Sequence, residues 1–209
     1  MNKINDLLYS NIPCAVYSNS LFRKGYNSSK GGEYKPDYRD VAVKFSRYLR
    51  FPIGRKVLYS TIKNKLIKSS TLNENSPYLD KKQSVSDEDM IALYSNLALS
   101  LNITELRDTY ILDKPIHKIH LRTFEIPMSG GLQFASYTDE LANYFEDGKE
   151  IVMYQNKDDM IEKARYYLNP KHTNEIIAMK QAARKRAENE HTWICRYNKI
   201  FDVLGLKHN

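Results

Sequence analysis

The chain has little of what defines several protein classes. Its 209 residues include two cysteines, Cys14 and Cys195, which form no spacing pattern. A metal site is disfavoured. Two buried thiols in a reducing cytoplasm are the expected state. No apolar run approaches the ~20 residues of a membrane span. The amino terminus, MNKINDLLYSNI, lacks the apolar core and the small-residue cleavage site of a secretory signal. There is no internal repeat.

Excess charge is also missing from most of the chain. The net charge is +7, but nine basic residues and one acidic residue lie between Arg39 and Lys68, so that stretch alone is +8. The remainder sums to about −1 by difference. The basicity of the chain is a property of this segment alone. It has two readings. Basic amphipathic helices can lie on an anionic membrane surface with Phe45, Tyr48, Leu49 and Phe51 at the interface. Alternatively, the apolar stripe packs on the domain and the lysines are solvated. Nucleic-acid binding is disfavoured, because the run carries no recognisable motif.

What is present reads as one α/β domain. Hydrophobic residues are 42% and charged residues 27%, ordinary for a soluble globular chain. PCAVYS (13–18) reads as a buried strand, and 18–37, rich in Ser, Gly, Asn and Tyr, reads as a loop. Apolar residues at 38, 41, 42, 45, 48 and 49 predict a helix, which Pro52 and Gly54 break before a second helix near Arg55. Residues 69–83 are polar and read as irregular. Ser86 with Asp89 forms a capping-box position for the next helix. Then follow a strand in LALSLN, a loop over 103–117, a helix over 118–126, a strand over 132–136, a helix over 138–146 and a strand over 150–154. Three helices close the chain, with Thr173 or Asn174 as a cap for the second. Strands alternating with helices predict a parallel sheet.

The stretch KIHLRTFEIPMSGGLQFASYTDEL (118–141) concentrates the candidate chemistry. Arg122 and Glu125 stand three residues apart on a helix, and Lys118 lies four residues before Arg122. Pro127 is expected to stop this helix, and Ser129, Gly130 and Gly131 follow as a turn toward which both charges point. Glycine has no Cβ to keep backbone from a phosphate. Tyr137 and Thr138 open the next helix, whose first amides would favour an anion. His117 and His120 lie beside this stretch, and either could act as a catalytic base near neutral pH. The plain alternative is a glycine turn beside a surface i, i+3 pair.

LRTFEIPMSGG (121–131), SYTDELANYFEDGKEIVMY (136–154), KARYYLNP (163–170) and EHTWICRYNKIF (190–201) together resemble the carboxyl-terminal half of a group-1-like glycosyltransferase of the spore-maturation (CgeB-like) type. VSDEDMIALYS (85–95) resembles that family's helix leading into the domain, and the resemblance covers roughly 85–204. Residues 4–20 are similar only weakly. The resemblance implies the GT-B architecture, with residues 85–209 as the nucleotide-sugar-binding part. Residues 1–84 would be an incomplete first part of a Rossmann-like domain with a basic helical insertion over about 38–68. It implies that Glu125 bonds the ribose and that Arg122 and Lys118 face the diphosphate. Ser129, Gly130 and Gly131 would approach the sugar or phosphate, and Tyr137 and Thr138 would close the pocket. No metal or other cofactor is implied. The donor would be a UDP- or GDP-sugar and the acceptor a glycan or lipid-linked sugar, at the inner face of the cell membrane or in the cytoplasm.

Two departures follow. Many retaining relatives place a glutamate eight residues before the ribose-binding one, where this chain has His117. The chain also begins after the first strand of the donor domain, so it is expected to be a fragment or short gene product, or to work with a separate acceptor-domain protein or as a homodimer. The alternative is a non-catalytic nucleotide-sugar-binding subunit. A sheet short of one strand exposes an edge, and either dimer contacts or a loop from residues 19–37 are expected to cover it. His191-Thr192-Trp193 reads as packing, with Trp193 anchoring the last helix, and Tyr166-Tyr167 reads as helix packing.

Overall fold

The computed structural model describes residues 2–19, 38–66, 71–106 and 109–206. The chain divides into two compact units. The first comprises Met1–Leu8, Pro13–Ser84 and Glu105–Lys118, and the second Tyr9–Ile12, Val85–Thr104 and Ile119–Asn209.

In the first unit, α1 (Asn2–Tyr9) buries Leu7 and precedes β1 (Cys14–Tyr17). β1 pairs in parallel with β2 (Leu79–Lys82), from Cys14 against Leu79 to Tyr17 against Lys82. The reading of 69–83 as irregular is corrected here. β2 has the sequence LDKK, and only Leu79 is partly buried, so no apolar alternation marks it as a strand. The side chain of Asn5 fastens the segment before β2. Its Nδ2 donates to the Thr71 carbonyl and its Oδ1 accepts from the Asn73 N–H, both at 2.8 Å. Between the strands lie α2 (Tyr38–Arg50) and α3 (Pro52–Leu66). Only Phe51 separates them, so the expected break is narrower than its two breakers suggest. Pro52 takes the first helical position, where its missing N–H costs nothing. Gly54 lies inside α3 and is buried, because a Cβ there would collide with the Tyr48 carbonyl. The loop expected to cover the sheet edge falls, from residue 20 onward, outside the described residues.

The second unit is an α/β body of Rossmann-like kind with a parallel sheet ordered β3-β4-β5. Its elements are α4 (Asp87–Asn96), β3 (Ser100–Asn102), α5 (Arg122–Met128), β4 (Gln133–Ser136), α6 (Asp139–Ala142), β5 (Val152–Tyr154), α7 (Lys157–Tyr167), α8 (Thr173–Glu190) and α9 (Trp193–Val203). The Ser86 hydroxyl caps α4 by accepting from the Asp89 N–H, as its spacing predicts. β4 is central and every residue of it is buried, as is every residue of β5. Phe124, Ala135, Leu141, Phe145, Ile151, Met153 and Ala187 form one core cluster.

Three boundaries differ from expectation. α5 begins at Arg122 rather than 118 and runs through Pro127 to Met128. A turn of 3₁₀ type precedes it, with the Thr123 N–H bonded to the His120 carbonyl. α6 ends at Ala142. Neither Thr173 nor Asn174 caps α8. Asn169 caps a short turn before it, and the Thr173 hydroxyl donates to the Pro170 carbonyl.

Candidate functional site

Parallel strands joined through helices place all strand carboxyl ends and the following helix amino ends on one edge of the sheet. In the second unit that edge carries Asn102, Ser136 and Tyr154 at the ends of the strands. Arg122, Asp139 and Lys157 begin the helices there. Open α/β sheets bind ligands at this edge. Arg122 is exposed and Glu125 half-buried. Among the described residues neither side chain makes a hydrogen bond or ion pair, so the i, i+3 pair does not close.

The buried side of α5 holds Thr123, Phe124, Ile126 and Pro127. The Asn102 Nδ2 on β3 donates to Thr123 Oγ1 at 3.4 Å and to Gln133 Oε1 on β4 at 3.2 Å. This polar bridge ties the helix bearing Arg122 and Glu125 to two strands. It escaped the sequence reading, because LALSLN registers as an apolar strand. Its signal was a pair of amide side chains, Asn102 and Gln133, at sheet positions with no turn chemistry. Ser100 Oγ, Asn102 Oδ1 and Gln133 Nε2 are buried there without a partner among the described residues.

Gly130 and Gly131 sit at the other end of α5. From Arg122 to Gly130 is eight residues, roughly 12 Å along a helix axis, and helical side chains lean toward the amino terminus. The expectation that Arg122 and Glu125 point to the glycine turn is therefore corrected. The two glycines complete a Schellman cap. The Gly130 N–H donates to Pro127 O and the Gly131 N–H to Ile126 O, each at 2.9 Å. Gly130 has φ +72°, which is why glycine stands there. A Cβ on Gly131 would lie 3.0 Å from the Tyr94 carbonyl and from Ile126. Both amides are thus committed to ending α5, and the Gly131 site is filled by α4. Ser129 is the C-cap residue of the same turn.

At the favoured edge, the Thr138 hydroxyl accepts from the Leu141 N–H at 3.0 Å and so caps α6. Its neighbour Tyr137 hydrogen-bonds the Asp139 carboxylate, which raises the phenol above its ordinary pKa. Carboxylates fill the first turns of α6 (Asp139, Glu140) and α7 (Asp158, Asp159). Asn156 caps α7 by accepting from the Asp159 N–H. These helix ends already hold caps and acids, so the expected anion site on the amides of α6 is not formed by them. Arg122 and the half-buried His120 remain as the cationic or protonatable groups from the sequence-derived set in this unit.

His117 and Lys118 belong to the first unit. Lys118 precedes the helix, so it shares no helical face with Arg122, contrary to expectation. His117 forms an antiparallel bridge with Glu105. The Glu105 carboxylate, 6% exposed, is ion-paired with Lys3. Burial works against its charge, but the Lys3 contact prevails and holds it below the usual carboxylate range. Burial also lowers His117, against the pull of Glu105.

At the carboxyl end the buried member of His-Thr-Trp is His191. Its ring lies 5.1 Å from both Phe124 and Phe145 and 5.5 Å from Tyr144, and its Nε2 is 3.1 Å from the Tyr144 carbonyl. Trp193 is 60% exposed, so the anchor expected of it is His191 instead. The guanidinium of Arg196 stacks 4.1 Å from the Phe124 ring, adding a cation–π contact to the residue preceding Glu125. Tyr167 is buried and Tyr166 exposed. Among the described residues no group of three or more His, Cys, Asp or Glu is placed to hold a metal ion.

Residues 57–202, from α3 to α9, match the family described as glycosyl transferase-like. The chain belongs to this family. Its general chemistry is glycosyl transfer between a sugar donor and an acceptor. No curated protein matches the chain. No helix among the described residues is long and apolar enough to cross a membrane.

Proposed function

We propose that this glycosyl transferase-like chain binds a nucleotide-sugar at the strand carboxyl edge of its second unit and transfers the sugar to a glycan or polysaccharide acceptor. The spore-maturation (CgeB-like) branch and the donor-binding half of a GT-B enzyme are the finer placement. One observation supports the site: Glu125 is half-buried at that edge, and its carboxylate has no partner among the described residues. A carboxylate so placed suits paired ribose hydroxyls, which donate to it. Arg122, one turn earlier, suits the diphosphate and would stabilise negative charge on the departing nucleoside diphosphate. Tyr137 and Thr138 wall the same edge. His120 is the nearer candidate base in sequence, and His117 belongs to the first unit. Ser129, Gly130 and Gly131 act here through α5, whose end they fix.

Titrating UDP, GDP and their sugars by calorimetry tests this. Glu125→Ala and Arg122→Ala are each expected to weaken binding by about 1–3 kcal/mol, the range for hydrogen bonds to charged groups. Unchanged affinity in both would dismiss the site. Donor hydrolysis by the chain alone would separate an enzyme from a binding subunit that needs an acceptor domain.

A further inference from the structure

We infer that α2 and α3 of the first unit form a surface that docks on an anionic lipid bilayer. This stands without the donor-site proposal. On α2, Phe45, Tyr48 and Leu49, at i, i+3 and i+4, are each about half exposed. At the junction Phe51 is 64% and Ile53 62% exposed. On α3, Tyr59, Ile62 and Leu66 continue an exposed stripe at helical spacing. Solvent-facing apolar residues in such continuity mark an interaction surface rather than scattered exposure.

The charges say what covers it. Arg47 and Arg50 lie on the side of α2 opposite its apolar stripe, and Arg55, Lys56 and Lys65 are exposed on α3. Asp40 is the one acidic residue from 39 to 68. A helix with an apolar face and a cationic opposite face lies in the plane of a membrane interface, where long basic side chains reach the headgroups. Tyrosine suits the same depth. A second copy fits less well, since an isologous contact would bring two +8 segments together. Nucleic acid would pair with the cations but not with Leu49, Ile53, Ile62 and Leu66. Only Phe51 separates α2 from α3, and Gly54 meets the Tyr48 carbonyl at this tight junction.

The test is co-sedimentation of the full chain with vesicles of phosphatidylcholine alone and of phosphatidylcholine mixed with phosphatidylglycerol. Binding is expected only to the anionic vesicles and should weaken as salt is raised. The pair Phe51→Ser and Ile53→Ser should lower the partition constant about tenfold or more. Arg47→Glu with Arg50→Glu should lower it at least fivefold per charge. Both variants replace exposed residues, and circular dichroism would verify their fold. Equal binding to both vesicle types, or wild-type binding by either variant, would overturn the proposal. So would binding of a DNA duplex that survives the serine pair, or lipid-free dimerisation that the serine pair abolishes.

Discussion

In the second unit Phe134, Phe145 and Ile151 are at most 2% exposed, whereas in the first unit Phe45, Phe51 and Ile53 are 48, 64 and 62% exposed. The strands differ in the same direction. β4 and β5 are buried throughout, while no residue of β1 or β2 is fully buried. Similar residues therefore do different work. In the sheet and core of the second unit they are removed from water and supply cohesion. On α2 and α3 they remain at the surface. Hydrophobic periodicity alone does not separate these uses, because an amphipathic stripe reads identically whether a core or a bilayer lies against it.

The contrast can be broken most directly at Phe145. Phe145→Ala should cost about 3–5 kcal/mol in denaturant unfolding, the range for an aromatic removed from a packed core. Gly131→Ala should cost about 1–3 kcal/mol, because the new Cβ meets the Tyr94 backbone and something must shift. Acidification should act on the first unit. The folded-state pKa of His117 lies below its ordinary 6.5, so its contribution to stability is present above that value and is lost as pH falls. Glu105, held below its ordinary 4.5, loses its contribution at still lower pH. Thermal melts from neutral pH downward should show a decline that His117→Gln reduces near pH 6. Smallest of all, Phe45→Ser should change stability by about 0.5 kcal/mol or less, the range for exposed positions. A loss of about 2 kcal/mol or more would mean that this face is covered within the protein and the contrast is false.

Periodicity and caps made most of the second unit legible. The strand at 132–136, the Ser86 cap and the closing helices are set by local pattern, and the structure has them close to where the pattern puts them. β2 was not legible, because LDKK has no apolar alternation to reveal a strand at a sheet margin. The site was legible in its residues and not in its geometry. Arg122 and Glu125 do share α5 at a ligand-favoured edge. The glycine pair, adjacent in sequence, serves the opposite end of that helix, because a helix of seven residues separates its two ends by about 10 Å. The Asn102–Thr123–Gln133 bridge could not be found from spacing. Its members lie 21 and 31 residues apart and meet only once β3 and β4 pair.

Tyr144 offers one carbonyl to two donors, Arg186 Nε at 3.2 Å and His191 Nε2 at 3.1 Å. A carbonyl cannot donate, so the imidazole must carry its hydrogen on Nε2. His191 is also the residue at which α8 ends, two positions before α9 begins. The joint between the last two helices is therefore keyed to one tautomer, and a methyl group placed on that nitrogen would remove its bond to the Tyr144 carbonyl.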